Sequence, residues 1–277
     1  MIKLFASDLD GTLLPRSHQF DELIVASIEK IVASGYYFTI ATGRDSAMTT
    51  LNGLENKIYQ ICLNGALIKS PQGTILKKEL IDKDVLKLIL EEFDDLNLEF
   101  LTPTKTYTKQ SLEAFTQKLR SMPLEEDVDV TKMFMNNASK HLVFNQSTQE
   151  ILEQDICKIN TFLEPGQSYN RFYHFLDEHS DAIINAPCDD NMIEITKKSV
   201  NKGTAIHWLG QYLYIHDDEI AAYGDGGNDI KMLSMFQHSY APSTALKEAQ
   251  YAAHTQLGPY YEYSVARHML ETIAKQK

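Results

Sequence analysis

The apolar positions of the first sixty residues switch between two periods. Ile2, Leu4, Phe5 and Ala6 form a short run without helical spacing, which predicts a buried strand. Leu23, Ile24, Ile28, Ile31 and Val32 then recur at helical spacing, and Gly35 follows as a C-terminal cap. Tyr37 to Ala41 is aromatic and β-branched and predicts a second strand, and Tyr59 to Leu63 a third. Strands alternating with helices predict a parallel sheet covered by helices.

The pattern changes near Ile81 and Asp82. Asp82 is placed to cap a helix carrying Val85, Leu86, Leu88, Ile89 and Phe93. Strand pieces then mix with helices. Strands are expected at Leu98 to Leu101 and His141 to Phe144, with a helix around Leu112 to Leu119 between them. Another helix is expected through Ile151, Ile156 and Phe162, followed by strands at Phe172 to Phe175 and Ala182 to Ile184. Met122 to Ser139 has weak periodicity and several acids, and no element is assigned to it.

The first pattern returns toward the C-terminus. Thr204 to Leu213 reads as a helix, Ile220 to Tyr223 as a strand, Asn228 to Phe236 as a helix and Tyr240-Ala241 as the end of a strand. A last helix after Pro259 carries Val265, Met269, Leu270 and Ile273 on one face. The expected fold is α/β: a Rossmann-like parallel sheet core built from residues 1–81 and 189–277, with an inserted α+β cap domain over 82–188.

Composition narrows the function. The 277 residues are 43% hydrophobic and 23% charged, ordinary for a globular protein. Lysines and arginines number 26 against 38 acids, a net charge of −12, and no basic cluster suggests a nucleic-acid groove. A phosphate-bearing substrate therefore needs local compensation from a metal ion or a placed lysine. Cys62, Cys157 and Cys188 lie far apart and match no zinc spacing, which suits a reducing compartment. The first apolar run is too short for a signal peptide, and no run of about 18 apolar residues spans a membrane. The cytoplasm is the expected location.

Four short segments carry candidate chemistry. Asp8-Leu9-Asp10-Gly11-Thr12-Leu13-Leu14 directly follows the first strand, at the sheet edge where open α/β proteins bind ligands. Alternate residues of an extended chain point the same way, but Gly11 ends the extension and leaves the direction of Asp10 open. Two adjacent carboxylates need a shared proton or a cation. A calcium EF-hand is excluded, because its loop glycine would fall at the wrong position. Thr42-Gly43-Arg44 ends the second strand; it is a candidate anion cradle and equally a plain turn with a threonine cap. Asn201-Lys202-Gly203 precedes a helix; Lys202 is a point charge suited to a phosphoryl oxygen, or a solvated surface lysine. Gly224-Asp225-Gly226-Gly227-Asn228-Asp229 is neither a dinucleotide fingerprint nor a P-loop. It is either a capped turn or a site for a hard cation, magnesium ahead of calcium because a phosphate can complete its shell.

In this order, the four segments resemble the motifs of the haloacid dehalogenase superfamily, in particular its Cof-type phosphatases with a large inserted cap. Asn64-Gly65-Ala66 matches a further short segment of that group. The sequence departs from it at Thr244, where asparagine is usual after the last core strand. The resemblance implies Mg²⁺ held by Asp8, Asp10 (through its main-chain carbonyl) and Asp225, with Asp229 in support. It implies that Asp8 is the nucleophile and Asp10 the general acid and base. It places Thr42, Gly43 and Lys202 on the transferring phosphoryl group. Asn228 either orients Lys202 or touches phosphate, and Arg44 either assists or pairs with a neighbouring acid. The implied substrate is a small phosphorylated metabolite, with sugar phosphates favoured. The alternatives are a sugar phosphomutase and a non-catalytic sensor of a phosphorylated metabolite.

Overall fold

The central strand of the molecule is β1 (Leu4–Ser7), whose four residues are all buried. The computed structural model describes residues 1–46, 49–121, 141–187 and 192–276. After β1 come β2 (Tyr37–Ala41), β3 (Tyr59–Cys62), β4 (Leu67–Lys69), β5 (Ile75–Lys78), β6 (Glu99–Leu101) and β7 (Thr106–Thr108). Next are β8 (Leu142–Val143), β9 (Lys158–Phe162), β10 (Ile183–Asn185) and β11 (Met192–Lys197). The chain finishes with β12 (Ile220–Tyr223), β13 (His238–Pro242) and β14 (Thr255–Leu257).

Among the described residues these strands form two sheets. The first runs β14-β13-β12-β1-β2-β3-β4-β5. It is parallel from β14 to β3, and the β4 and β5 hairpin adds an antiparallel edge. Both faces are covered, so β1 is apolar throughout rather than alternating. Phe5 packs with Ile28, Phe38 and Met269 on one face. Leu4 and Ala6 pack with Ile206, Leu209 and Phe236 on the other. β1 lies between β2 and β12, so the chain departs in opposite directions on its two sides. That switch point opens a crevice beyond the carboxyl ends of the strands.

The second sheet runs β10-β11-β9-β6-β7-β8. Helices Lys83–Glu92 and Gln167–Glu178 cover one face, packing Leu86, Ile89, Phe93, Phe172 and Phe175 against Phe100, Ile159, Ile193 and Ile195. Its other face looks toward the crevice of the first sheet. The fold is thus a Rossmann-like core with an inserted α+β capping sheet, as the sequence pattern leads one to expect.

Several local expectations are corrected. The helix expected through Ile151, Ile156 and Phe162 stops at Leu152, and Lys158–Phe162 is β9. Strand pairing decides this: β9 is bonded on both sides, to β6 and β11. The strand expected at Phe172 to Phe175 is helix. Phe172, Phe175 and Leu176 sit three and four apart and share one buried helical face, so period outweighs aromatic content. Asp82 occupies the cap position of the next helix without capping it, and instead accepts from Lys197 Nζ at 3.1 Å. The expected cap boundary at Cys188 lies outside the described residues. β11 follows it and pairs with β9 and β10, so the chain leaves the second sheet at Lys197, not at 188. Met122 to Ser139 also lies outside the described residues. Among those described, no helix is long and apolar enough to cross a membrane.

Candidate active site

The three loops at the switch point each bring one candidate group. Asp8 follows β1 directly, Thr42 follows β2, and Asp225 lies two residues past β12. The helix Lys202–Tyr212 points its first residue at them. Asn201 starts that helix, its side chain accepting from Thr204 N–H at 2.9 Å. Lys202 is therefore no surface lysine: it is 1% exposed and donates to Asp8 Oδ1 at 2.6 Å and Asp229 Oδ1 at 2.7 Å.

Asp8, Asp225 and Asp229 converge, with one carboxylate oxygen of each within 4.8 Å of the others. Burial pushes the Asp8 carboxyl well above the usual carboxylate range, against the pull of Lys202, and Asp229 and Asp225 add to the rise. Asp225 is pushed up to about 6, by burial first and then by Asp229. Burial opposes the charge on Lys202, but Asp229 and Asp8 outweigh it and hold the ammonium above the ordinary lysine range. Asp229 also braces the loop: its Oδ2 accepts the Asp225 and Gly226 N–H groups, each at 2.9 Å.

A donor set made only of carboxylate oxygens, too crowded to ionise fully without a cation, fits a hard divalent ion. The backbone is shaped for it. Gly11 has φ +75°, and a Cβ there would fall onto the Asp225 carboxylate. The Thr12 hydroxyl donates to Asp225 Oδ1 and fixes that carboxylate.

Asp10 is not part of this cluster. Its carboxylate turns aside and takes two hydrogen bonds from the Arg44 guanidinium, with His18 Nδ1 2.7 Å from Oδ1. Burial would raise its pKa, but Arg44 and His18 prevail and hold it below the ordinary range. Arg44 is thus the ion-pair partner of a neighbouring acid. Its N–H donates to Thr42 Oγ1 at 3.1 Å, which leaves the Thr42 hydroxyl hydrogen available to a ligand. Asn228 does not reach Lys202: its Nδ2 donates to Asn64 Oδ1 at 3.1 Å.

Between the sheets lies a cavity of about 560 Å³. Asp8, Asp10, Thr42, Gly43 and Asn228 line its inner end, and Leu101, Asn160 and Glu194 of the second sheet line the other. Sequence reasoning assigned nothing to Asn160, Glu194, Lys158 or His18. The alternation of Lys158-Ile159-Asn160 and Ile193-Glu194-Ile195 is the available signal, since it marks polar residues on one face of a strand. What that face meets is not written in the sequence.

Carboxylates and a buried lysine at the carboxyl edge of a parallel sheet, roofed by a second sheet, define a capped α/β protein with a candidate catalytic site. Comparison with known proteins is specific. The sequence pattern of the haloacid dehalogenase-like hydrolases matches residues 5–269. Phosphatase YwpJ of Bacillus subtilis is 28% identical, covering 98% of this chain and 99% of its own. The HMP-PP phosphatase of Shigella boydii is 24% identical over 90% of each chain. A haloacid dehalogenase-like hydrolase structure from B. subtilis superposes with a TM-score of 0.82, at 27% identity, over 97% of this chain and 99% of that one. The chain belongs to the haloacid dehalogenase-like hydrolases and is an enzyme of their Cof-type phosphatase group.

Proposed function

We propose that this enzyme is a Mg²⁺-dependent phosphohydrolase that cleaves monoesters of small phosphorylated metabolites through an aspartyl phosphate on Asp8. The observation that carries the reading is the meeting of Asp8, Asp225, Asp229 and Lys202 at the sheet's switch point. Asp8 and Asp225 hold Mg²⁺, with the Asp10 carbonyl as a further ligand and Asp229 in support. When bound, the ion supplies positive charge between the anionic nucleophile and the phosphoryl oxygens.

In the first step an Asp8 oxygen bonds to phosphorus while the ester P–O bond breaks, and Asp10 gives its proton to the leaving oxygen. In the second, water attacks phosphorus, the Asp8–phosphorus bond breaks, and Asp10 takes the proton of the water. The Arg44 pairing suits the carboxylate form required for that second step; the acid role in the first step requires Asp10 to leave Arg44 and carry a proton. Lys202, the Thr42 hydroxyl, the Gly43 N–H and the Asn228 amide hold the equatorial oxygens, where charge accumulates.

The capping sheet chooses the leaving group and excludes water. Asn160 of the capping sheet supports this, since it brings a polar side chain to the cavity wall. A carboxamide in the wall favours a leaving group that forms hydrogen bonds, so a sugar hydroxyl ranks first. Burial of Cys62 and Cys157 as free thiols accords with a cytoplasmic enzyme.

The test is a panel of phosphate esters assayed with Mg²⁺ for released inorganic phosphate. Release from a sugar phosphate or a similar metabolite is expected. Transfer to a second sugar without free phosphate would instead make the protein a mutase. Binding without turnover of any ester would make it a sensor.

A further inference from the structure

The Lys158 ammonium has no solvent exposure, yet it touches neither the acid cluster nor the cavity. It pairs with Glu194 on the adjacent strand β11, itself 4% exposed, and donates to the Gly43 carbonyl at 3.0 Å. Glu194 Oε2 accepts from Asn64 Nδ2 at 3.0 Å, and Asn64 Oδ1 accepts from Asn228 Nδ2 at 3.1 Å. A continuous polar chain therefore runs from Gly43 through Lys158, Glu194 and Asn64 to Asn228. Its middle lies on the second sheet and its two ends on loops of the first.

A buried ion pair is a poor device for stability alone, because an apolar pair of similar volume packs at least as well. What this one fixes is the backbone. The Gly43 carbonyl and the Arg44 N–H belong to one rigid peptide plane. Lys158 holds the carbonyl end, and Thr42 Oγ1 accepts at the N–H end. With that plane set, the Thr42 oxygen is committed as an acceptor and its hydrogen faces outward. At the other end, Asn64 sits in the left-handed region at φ +57°, and its amide, clamped by Glu194, aims Asn228. A Cβ on Gly43 would lie 2.8 Å from Asn64 Oδ1, so the Gly43 backbone also runs close beside Asn64.

We propose that Lys158 and Glu194 are positioning residues of the phosphate cradle: from the capping sheet they orient the Gly43–Arg44 peptide and the Asn228 amide. Lys158 does not line the cavity, and Glu194, which does, turns both of its carboxylate oxygens to Lys158 and Asn64. The cradle is complete only with the second sheet docked in this arrangement, which couples phosphate binding to cap position. The inference rests on the phosphohydrolase reading for what the cradle binds.

The test uses the full chain with Mg²⁺ and inorganic phosphate as the probe. Lys158→Met and Glu194→Gln are made singly, and Lys158→Met/Glu194→Leu as an apolar pair that leaves no unpaired charge. A merely structural pair predicts that the double variant recovers both melting temperature and phosphate affinity. Positioning predicts that it recovers the melting temperature while its phosphate Kd, by calorimetry, stays raised by roughly tenfold or more, the scale of one charge-assisted hydrogen bond. kcat/KM should fall by one common factor for aryl and metabolite phosphates, because the cradle holds the part they share. If the single variants do not fold, the double variant decides alone. Wild-type phosphate affinity in the folded double variant overturns the inference and leaves the phosphohydrolase reading intact. A wild-type enzyme that binds phosphate but hydrolyses no ester sinks that reading, while the affinities still decide this one. Absence of phosphate binding to the wild type overturns both.

Discussion

Lys202 donates to Asp8 at 2.6 Å, joining two residues 194 positions apart through a contact sealed from solvent. The ammonium holds one carboxylate oxygen and leaves the other for chemistry. Burial raises the Asp8 pKa, so its charge persists at a cost that a neutral side chain would not bear. Asp8→Asn should therefore keep or raise the melting temperature while turnover falls on the order of 10⁴-fold or more. Activity of freshly purified variant, with deamidation checked by mass spectrometry, decides it. Substantial turnover by intact Asp8→Asn would remove Asp8 as nucleophile.

The two distal acids should separate in their effects. Asp229 holds Lys202 and two backbone N–H groups, and Asp229→Ala takes one of two carboxylates from a buried ammonium and both bonds from the loop. That should cost on the order of 3 kcal/mol and lower Tm by roughly 6 °C or more. Asp225→Asn relieves a carboxylate already pushed up to about 6, so its Tm should hold while Mg²⁺ affinity collapses. Thermal melts and Mg²⁺ titration calorimetry on both variants distinguish the roles. Excess chelator should silence the wild-type enzyme, and full activity in metal-free buffer, verified by elemental analysis, would overturn the metal site.

Asn160→Ala removes a carboxamide from the cavity wall. kcat/KM for the best metabolite ester should fall roughly tenfold, the worth of one well-placed hydrogen bond. Hydrolysis of p-nitrophenyl phosphate should be unchanged. Equal losses on both substrates would show that Asn160 acts on the phosphoryl group and not on the leaving group.

His268 gives a pH prediction remote from the site. It packs against Tyr240, and its Nδ1 lies 3.0 Å from the Tyr223 hydroxyl. Burial lowers its pKa below the histidine value, so the folded state holds the ring neutral more firmly than the unfolded chain does. The sign follows: its contribution is present above the unfolded pKa of about 6.5 and is lost as pH falls through the lower folded value. The drop in Tm from pH 7.5 to pH 5 should be smaller in His268→Gln than in the wild type. An equal or larger drop in the variant would rule out His268 as a source of acid sensitivity.

Much of the candidate site is legible because it is local. A buried strand that ends in Asp8, and another that ends before Asp225, place carboxylates at a sheet edge whatever the rest of the chain does. The sequence leaves Arg44 open between phosphate and a neighbouring acid, and the structure pairs it with Asp10; Asn228 meets Asn64, which is neither of its two expected partners. Those choices depend on loops that meet only after folding. The misread elements fail for a related reason. Around Ile159 and Phe172 the local apolar content suits either state, and what decides is pairing with β6 and β11 in one case and a shared buried face in the other.

By itself the sequence determined the α/β core, the presence of an inserted cap and the order of the acidic and basic motifs. Each of these is set by short-range period, by turn residues and by strand ends. Only the tertiary structure decided that Lys202 is buried between two aspartates, that β11 belongs to the capping sheet, and that Lys158 reaches Gly43. These are contacts between residues 27 to 194 positions apart, and no local pattern encodes them. They arise because the sheets bury their apolar faces and thereby force the remaining polar groups to find partners across the gap.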